Sequence, residues 1–355
     1  MSINNILMSA AGNKNAPFVA CSMQYSPYGC IYPFLNEYGA RSVPSALPSS
    51  VGNDLAFSPD GKFLVFSTSR NINTPYQTVS IYPVSDNGVG SLFASIETST
   101  SSYAYGVCFS PNGKYIAVSD QSTAIHVYNW SSSGLGTEIT GGSFVTGSIK
   151  KLKFSPNNDY IAYASGSTPY VNMIPFSASG FGTKIANPAS ITSATSFDVS
   201  FSPDGNYVAF VHISSPYLSI YPFNGSFGTR IVPTATEGLP SSSGNGVAFS
   251  PDGNYIAVAH DNLPCLAIYP WNNGTLGTKI VPTATEGLIA TGYGYAYSVA
   301  FSQDGAYIAV GHDTTPYITI YPWNNGTLGT KITAPTTTPG SKVTGVAFRP
   351  LYNNY

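Results

Sequence analysis

The chain has 355 residues and a formal net charge of −2; 8% of its residues are charged and 14% are aromatic. This charge balance gives no electrostatic basis for binding nucleic acid or an anionic membrane, and the aromatic content argues against intrinsic disorder. No apolar run approaches the roughly 18 residues needed to cross a bilayer. Residues 1–15 show no basic segment followed by an apolar core, so we expect a protein made in the cytoplasm without Sec export.

One motif recurs along the chain, and its spacing is the strongest indication of the fold. Each copy is a variant of Phe-Ser-Pro-Asp-Gly, followed by an apolar run and later by a variant of Ile-Tyr-Pro. The copies are 45 to 52 residues apart, which is typical of a four-stranded propeller blade. They begin at Phe57, Phe109, Phe154, Phe201, Phe249 and Phe301, and a truncated seventh begins at Phe348.

The best-preserved copy predicts four strands in chain order. A Ser-Pro-Asp-Gly turn ends the first strand, and Asn273-Gly274 is a strong hairpin signal between the third and the fourth. The first three strands are apolar almost throughout, as expected for strands that neighbouring blades bury on both faces. The predicted strands are 247–249, 255–259, 266–269 and 278–281.

The two ends of the chain predict how the ring closes. The last repeat stops after one strand, whereas the chain begins with a segment, 17–21, that matches a second strand. We therefore expect one all-β domain over 1–355, a seven-bladed β-propeller in which the C-terminal strand joins the N-terminal blade. That blade spans about 1–50 and is completed by 343–350, and full repeats start near 51, 104, 148, 196, 244 and 296. In an alternative arrangement, residues 6–9 supply its first strand and the C-terminal strand is an addition.

These motifs resemble known repeat families. The Phe-Ser-Pro-Asp-Gly turn followed by Tyr-Ile-Ala-Val and Ile-Tyr-Pro resembles WD40-like and lactonase-like (YVTN-type) propeller repeats. Copies that continue into Asn-Gly-x-x-Gly-Thr-Lys-Ile are similar to repeats in virion structural proteins of tailed bacteriophages. The chain departs from true WD40 repeats, because no Trp-Asp dipeptide ends the third strand and no Gly-His pair opens a blade.

One face of the predicted ring carries most of the ionisable side chains. The turns after the second and fourth strands share this face, and three histidines occupy the same place in successive blades, at the end of the second strand. Such a ring of imidazoles and carboxylates suits acid–base or metal-assisted chemistry, but it also suits hydrogen bonds to neighbouring loops. The candidate binding residues are Asp120, His212, Glu237, His260, Asp261, Glu286, His312 and Asp313. We identify no catalytic residue, metal ligand or cofactor.

Aromatic side chains recur at the end of the third strand, and two interpretations stay open. They either pack between blades or stack on sugar rings. The residues are Phe34, Trp130, Phe176, Phe223, Trp271 and Trp323, with Val84 in the remaining blade. Of the four cysteines, Cys108 and Cys265 fill core positions as free thiols, whereas Cys21 and Cys30 lie on neighbouring strands and could pair if oxidised.

The resemblance favours a non-enzymatic structural or adhesion component of a phage virion, in the tail, fibre, baseplate or capsid surface. Its location is then the virion, and its partners are other virion proteins and a host-surface glycan or protein, with homo-oligomers set by the particle's symmetry. Near-identical blades also favour repeated binding over a single asymmetric enzyme site. Two alternatives remain: a multivalent glycan-binding propeller outside a virion, and a lactonase-like metal-dependent hydrolase.

Overall fold

The computed structural model describes residues 17–46, 48, 50–69, 77–97, 103–120, 124–139, 148–191, 194–289 and 293–351. Within these ranges the chain forms seven small antiparallel sheets and no helix. The predicted all-β, seven-bladed propeller is confirmed. No segment in the described part of the chain is a helix long and apolar enough to cross a membrane.

The first four blades follow the chain in order. Blade 1 has β1 (Phe18–Met23) and β2 (Gly29–Pro33), and blade 2 has β3 (Gly52–Phe57), β4 (Phe63–Thr68), β5 (Gln77–Ser85), β6 (Gly88–Val89) and β7 (Ala94–Glu97). Blade 3 has β8 (Ala104–Phe109), β9 (Tyr115–Asp120), β10 (Ile125–Ser131) and β11 (Gly134–Ile139). Blade 4 has β12 (Ile149–Phe154), β13 (Tyr160–Ser165), β14 (Val171–Ser177) and β15 (Gly180–Phe181).

The remaining blades continue this pattern and end in the closing strand. Blade 5 has β16 (Ser196–Phe201), β17 (Tyr207–His212) and β18 (Leu218–Pro222); blade 6 has β19 (Gly244–Phe249), β20 (Tyr255–His260), β21 (Leu266–Asn272) and β22 (Thr275–Leu276); blade 7 has β23 (Ala296–Phe301), β24 (Tyr307–His312), β25 (Ile318–Asn324) and β26 (Thr327–Leu328). The closing strand is β27 (Val343–Phe348).

Strand β27 pairs antiparallel with β1, with Ala20 opposite Ala347, so the C-terminal strand completes blade 1 as expected. The alternative first strand at residues 6–9 lies outside the described residues. In blades 1 and 5 the fourth strand is reduced to isolated bridges, such as Ile220 with Ile231.

The Ser-Pro-Asp-Gly turn owes its recurrence to local hydrogen bonds. In blade 6 the Ser250 hydroxyl accepts the Tyr255 N–H at 2.9 Å, and the Asp252 carboxylate accepts the Asn254 N–H at 3.1 Å. Gly253 has φ of +75°, a left-handed conformation that suits glycine. The motif therefore encodes a turn geometry.

The recurring aromatic residues pack between blades and belong to the core. Trp271, Trp323 and Phe223 are each at least 94% buried. Each meets the edge of a tyrosine from the preceding blade, with centroid separations of 4.9 to 5.0 Å, as in the contact of Trp271 with Tyr207. Packing, one of the two interpretations of this pattern, is the one that the structure supports.

All four cysteines are buried free thiols. Cys21 and Cys30 lie directly opposite each other on β1 and β2. Burial raises the pKa of Cys108 to about 12, so this thiol is protonated at neutral pH.

Arg349 fastens the closing strand to blade 2. Its guanidinium is buried, and it donates to the carbonyl oxygens of Gly61 at 2.7 Å and Val84 at 3.4 Å. It also pairs with the Asp86 carboxylate at 3.2 Å and lies 5.5 Å from the centre of the Phe18 ring. One side chain thus links the end of the chain to the first two blades.

We expect Arg349→Ala to lower the free energy of unfolding by about 2 kcal/mol, because buried carbonyl oxygens lose a charged donor. Urea unfolding followed by tryptophan fluorescence measures this change. Lys184→Ala, which removes a surface lysine bonded to Asn187, is the matched control and should change the value by less than about 0.5 kcal/mol. Equal stability of Arg349→Ala and the unmodified protein would contradict the proposed fastening role.

Candidate active site at the mouth of the central channel

The first strands of the blades surround the central channel, and their third residues differ sharply in chemistry. Asp54, Lys151 and Asp198 hold this position in blades 2, 4 and 5, where other blades have glycine or serine. The Lys151 ammonium lies 3.4 Å from an Asp54 carboxylate oxygen and 3.9 Å from one of Asp198. Because blades 2 and 4 are not neighbours, this ion triad crosses the channel.

The ion triad is held by electrostatics and by backbone donors. Burial alone would lower the pKa of Lys151, but the two carboxylates outweigh it and raise that pKa, so the ammonium stays charged. The carboxylates also accept N–H groups from the next blade, from Val107 to Asp54 at 3.4 Å and from Val247 to Asp198 at 3.2 Å. The triad therefore connects first strands across the channel, and its carboxylates also join blade 2 to blade 3 and blade 5 to blade 6.

The second residue of each of these first strands is half-buried. It lies one residue closer to the face that carries the connections between second and third strands, such as the one from β9 to β10. Two of these residues are tyrosines whose rings contact a lysine ammonium. Lys150 Nζ lies 4.3 Å from the centre of the Tyr105 ring, and Lys342 Nζ lies 4.4 Å from that of Tyr297. The full set is Asn53, Tyr105, Lys150, Phe197, Asn245, Tyr297 and Thr344. Together they form a mouth with polar, aromatic and cationic groups.

A cluster of five residues at this mouth, the Asp261 cluster, consists of Asn245, Asp261, Tyr297, Asp313 and Lys342. The Asn245 amide donates to Asp261 Oδ1 at 2.6 Å and to the Ala296 carbonyl at 2.9 Å. Asp313 Oδ1 accepts the N–H of Tyr295, and Tyr295 also bridges to Asp261. The backbone of Tyr295 thus contacts both Asp261 and Asp313.

The two carboxylates influence each other and the nearby phenol. Burial raises the pKa of Asp261, and the negative charge of Asp313 raises it further against the opposing Asn245 hydrogen bond. Burial and the same two carboxylates raise the pKa of Tyr297 to about 12. At neutral pH the cluster therefore offers a carboxylate of raised basicity and a phenol that keeps its proton.

The three repeated histidines lie inside the blades. His212, His260 and His312 are fully buried. His212 Nδ1 lies 2.7 Å from the Ser214 carbonyl and its Nε2 lies 2.9 Å from the Ser219 hydroxyl, and His312 contacts two threonines in the same way. In His260 the Nε2 atom has no hydrogen-bond partner within the described residues, because Ala267 replaces the hydroxyl residue.

The predicted acids outside the Asp261 cluster serve local structure. Glu237 and Glu286 accept hydrogen bonds from Thr234 and Thr283 in equivalent surface turns. Asp120 is buried at the end of β9. Of the eight predicted residues, the structure brings only Asp261 and Asp313 into one site.

One histidine that the repeat pattern did not single out forms an ionic group with Asp120. His126 Nε2 lies 3.2 Å from Asp120, and its Nδ1 lies 2.7 Å from Glu138. Burial lowers the pKa of His126, but the two carboxylates outweigh burial and raise it. Across the described ranges, no three His, Cys, Asp or Glu side chains form a group able to hold a metal ion.

Comparison with known proteins supports the propeller assignment. Residues 90–129 match the model of the WD domain, G-beta repeat. Comparison with curated protein sequences finds no significant match. Among solved structures, the Pseudomonas aeruginosa periplasmic gluconolactonase superposes with a TM-score of 0.70 at 14% identity, covering 95% of this chain and 100% of its own.

Two further solved structures are similar over most of the chain. A putative 6-phosphogluconolactonase from Bacteroides fragilis gives a TM-score of 0.69 at 16% identity, with coverage of 94% of this chain and 98% of its own. Kuenenia stuttgartiensis hydrazine synthase gives 0.57 at 20% identity, with coverage of 79% and 78%. At these identities the likeness shows the fold alone.

These matches correct three predictions. Two of the proteins that superpose over most of this chain are named as a periplasmic gluconolactonase and a putative 6-phosphogluconolactonase, both from bacteria. The prediction of a non-enzymatic virion component located in a virion is therefore wrong, and the lactonase-like alternative fits the matches better. The predicted partners and oligomers stay predictions.

The four histidines should titrate in two separate classes. Burial lowers the pKa of His212, His260 and His312 to about 4, whereas that of His126 lies above its ordinary 6.5. Unfolded imidazoles bind protons near pH 6.5, so the three buried residues should reduce stability progressively as the pH falls from about 6.5 to about 4.

Two-dimensional NMR of the four imidazoles between pH 4 and 8 measures this difference, with single His→Gln variants to assign the signals. We expect three imidazoles that stay neutral down to about pH 4 and one that protonates above pH 6.5. Four similar titrations near pH 6.5 would contradict the buried arrangement.

Proposed function

We propose that the protein is a lactonase-like hydrolase that opens the lactone of a sugar acid at the mouth of its central channel. The observation that carries this proposal is that the backbone of Tyr295 contacts both Asp261 and Asp313, close to Tyr297, whose phenol keeps its proton. The gluconolactonase and the putative 6-phosphogluconolactonase among the structural neighbours support the choice of substrate class. The first strands and the connections between blades build this site together, as in other ring-shaped scaffolds with binding sites at their centre.

The residues of the Asp261 cluster divide the reaction between a base and a hydrogen-bond donor. Asp261 removes a proton from water, and the water oxygen adds to the lactone carbonyl carbon. Tyr297 donates its hydroxyl hydrogen to the oxyanion that develops on the carbonyl oxygen. The ring C–O bond then breaks, and the departing oxygen takes the proton from Asp261, which leaves the free hydroxy acid.

The cations at the mouth favour a substrate rich in oxygen. Burial lowers the pKa of Lys150, which lies over Tyr105 and can donate to a hydroxyl, carboxylate or phosphate oxygen of the substrate. Lys342 supplies a second positive charge beside Tyr297 and stabilises negative charge there. The ion triad below them fixes the positions of the strands that carry these groups.

Replacing the base should remove most of the activity. We expect Asp261→Asn to lower kcat/KM by roughly 100-fold or more, since an amide keeps the shape of the carboxyl group but cannot accept the proton. The assay follows acid release from glucono-δ-lactone and from 6-phosphogluconolactone, with spontaneous hydrolysis subtracted. Glu37→Gln, on an exposed turn of blade 1, is the control. Hydrolysis no faster than in buffer, or full activity of Asp261→Asn, would refute the proposal.

The charge of Asp313 should set the pH dependence. Asp261 acts in its ionised form, so kcat/KM should rise with pH through a pKa above the ordinary 3.8 of an aspartate. Asp313→Asn removes the neighbouring negative charge and should move this acidic limb to lower pH while activity is retained above it. An acidic limb at the same pH in both proteins would argue against Asp261 as the base.

A further inference from the structure

The opposite face of the ring, which carries the Ser-Pro-Asp-Gly turns, has a series of clefts between blades. Three of them have volumes of about 390, 540 and 220 Å³. We call them cleft I, between blades 2 and 3; cleft II, between blades 4 and 5; and cleft III, between blades 5 and 6. Each is lined by the turn of one blade, the turn of the next and the aromatic residue at the end of the third strand.

The gap between blades 3 and 4 shows what chemistry fits this position. In blade 4 the turn has Asn158 where other blades have glycine, with φ of +68° and the same hydrogen bond back to the turn's serine. Asn158 Oδ1 crosses the gap and accepts the N–H of Asn112 in blade 3 at 3.0 Å. The protein's own amide oxygen thus occupies this gap.

In the three clefts, glycine replaces this asparagine. Gly113, Gly205 and Gly253 stand opposite the residues equivalent to Asn112, which are Asp60, Asn157 and Asp204. A Cβ atom added to any of the three glycines would approach nothing nearer than 3.5 Å, and its nearest neighbour would be the proline of the preceding turn. The space that Asn158 fills in one gap is therefore open in these three clefts.

The lining of the clefts selects a neutral, hydroxyl-rich group. Each cleft contains at least one carboxylate, and no lysine or arginine is among its lining residues. Partial burial raises the pKa of Asp204, but the Ser202 hydroxyl and the Asn206 amides outweigh it and hold that pKa below its ordinary value. An ionised carboxylate of this kind accepts O–H groups and repels anions.

Each cleft also has an apolar side. Cleft I includes Phe63 and Trp130, cleft II includes Tyr160 and Phe223, and cleft III includes Trp271. These rings are largely buried, so each offers its cleft a small apolar surface against which the C–H groups of a sugar can pack. Acceptors, donors and an apolar wall within one cleft match the surface of a pyranose.

We infer that clefts I, II and III are equivalent binding sites for neutral sugar residues, in each of which a ligand oxygen takes the place that Asn158 Oδ1 holds between blades 3 and 4. The sites lie on the face opposite the proposed hydrolytic site and do not depend on it. Three sites in one rigid ring would bind a glycan-coated surface with an avidity well above that of a single site.

The test uses the full chain on agarose beads that carry D-glucose, D-galactose, D-mannose or N-acetyl-D-glucosamine. We expect retention on at least one of these resins and elution by the matching free monosaccharide. In the triple variant Gly113→Asn, Gly205→Asn and Gly253→Asn, the new amides should fill the clefts as Asn158 does, and retention should fall at least tenfold. Thermal unfolding of the triple variant, expected to match the unmodified protein, excludes a folding defect.

The reverse substitution provides the matched variant. Asn158→Gly removes the amide oxygen from the gap between blades 3 and 4, and it should increase retention on the same resin by opening a fourth site. Retention of the triple variant equal to that of the unmodified protein would overturn the inference. So would the absence of retention on all four resins.

Discussion

The pairing of β27 with β1 is the contact on which the rest of the structure depends. Each blade buries both faces against its neighbours, so until the ring closes blade 1 lacks its first strand and blades 7 and 2 lack the contacts that this strand makes. Hydrogen bonds along β1 and β27 join residues more than 300 positions apart, and the Arg349 guanidinium extends this contact to blade 2. The meeting of these distant ends closes the ring of first strands around the central channel.

Closure gives the molecule near-symmetry, and its candidate sites arise where that symmetry fails. Most blades place a small residue at the third position of the first strand, but blades 2, 4 and 5 place Asp54, Lys151 and Asp198 there. Near the mouth, Asp261 and Asp313 follow equivalent strands in consecutive blades, yet only Asp261 accepts the amide of Asn245. An asymmetric catalytic arrangement can thus develop in a repetitive ring through a few substitutions, without a change in the backbone.

The fold could be predicted from the sequence because its signals are local. A turn such as 250–253 has the same bond to its serine hydroxyl in each of blades 2 to 7, and the number of repeats sets the number of blades. The site could not be predicted as well, since the direction of a side chain depends on its neighbours. His212 ends a second strand and Asp261 directly follows one. The His212 imidazole turns into the blade toward Ser219, whereas the Asp261 carboxylate turns toward Asn245 at the channel mouth. The resemblance to phage proteins predicted the wrong function for a related reason. The shared motif specifies the geometry of a turn and says nothing about the residues of a site.

The most informative positions are those that depart from an otherwise constant repeat. Asn158 keeps the left-handed turn that glycine provides elsewhere, since asparagine tolerates this conformation, and its side chain joins two blades. Lys151 likewise keeps the strand and adds a charge that reaches beyond the neighbouring blade. In both cases the backbone is unchanged and the substituted side chain connects separate repeats. In a propeller, function therefore resides in such substitutions, on either face of the ring, while the common residues maintain the blades.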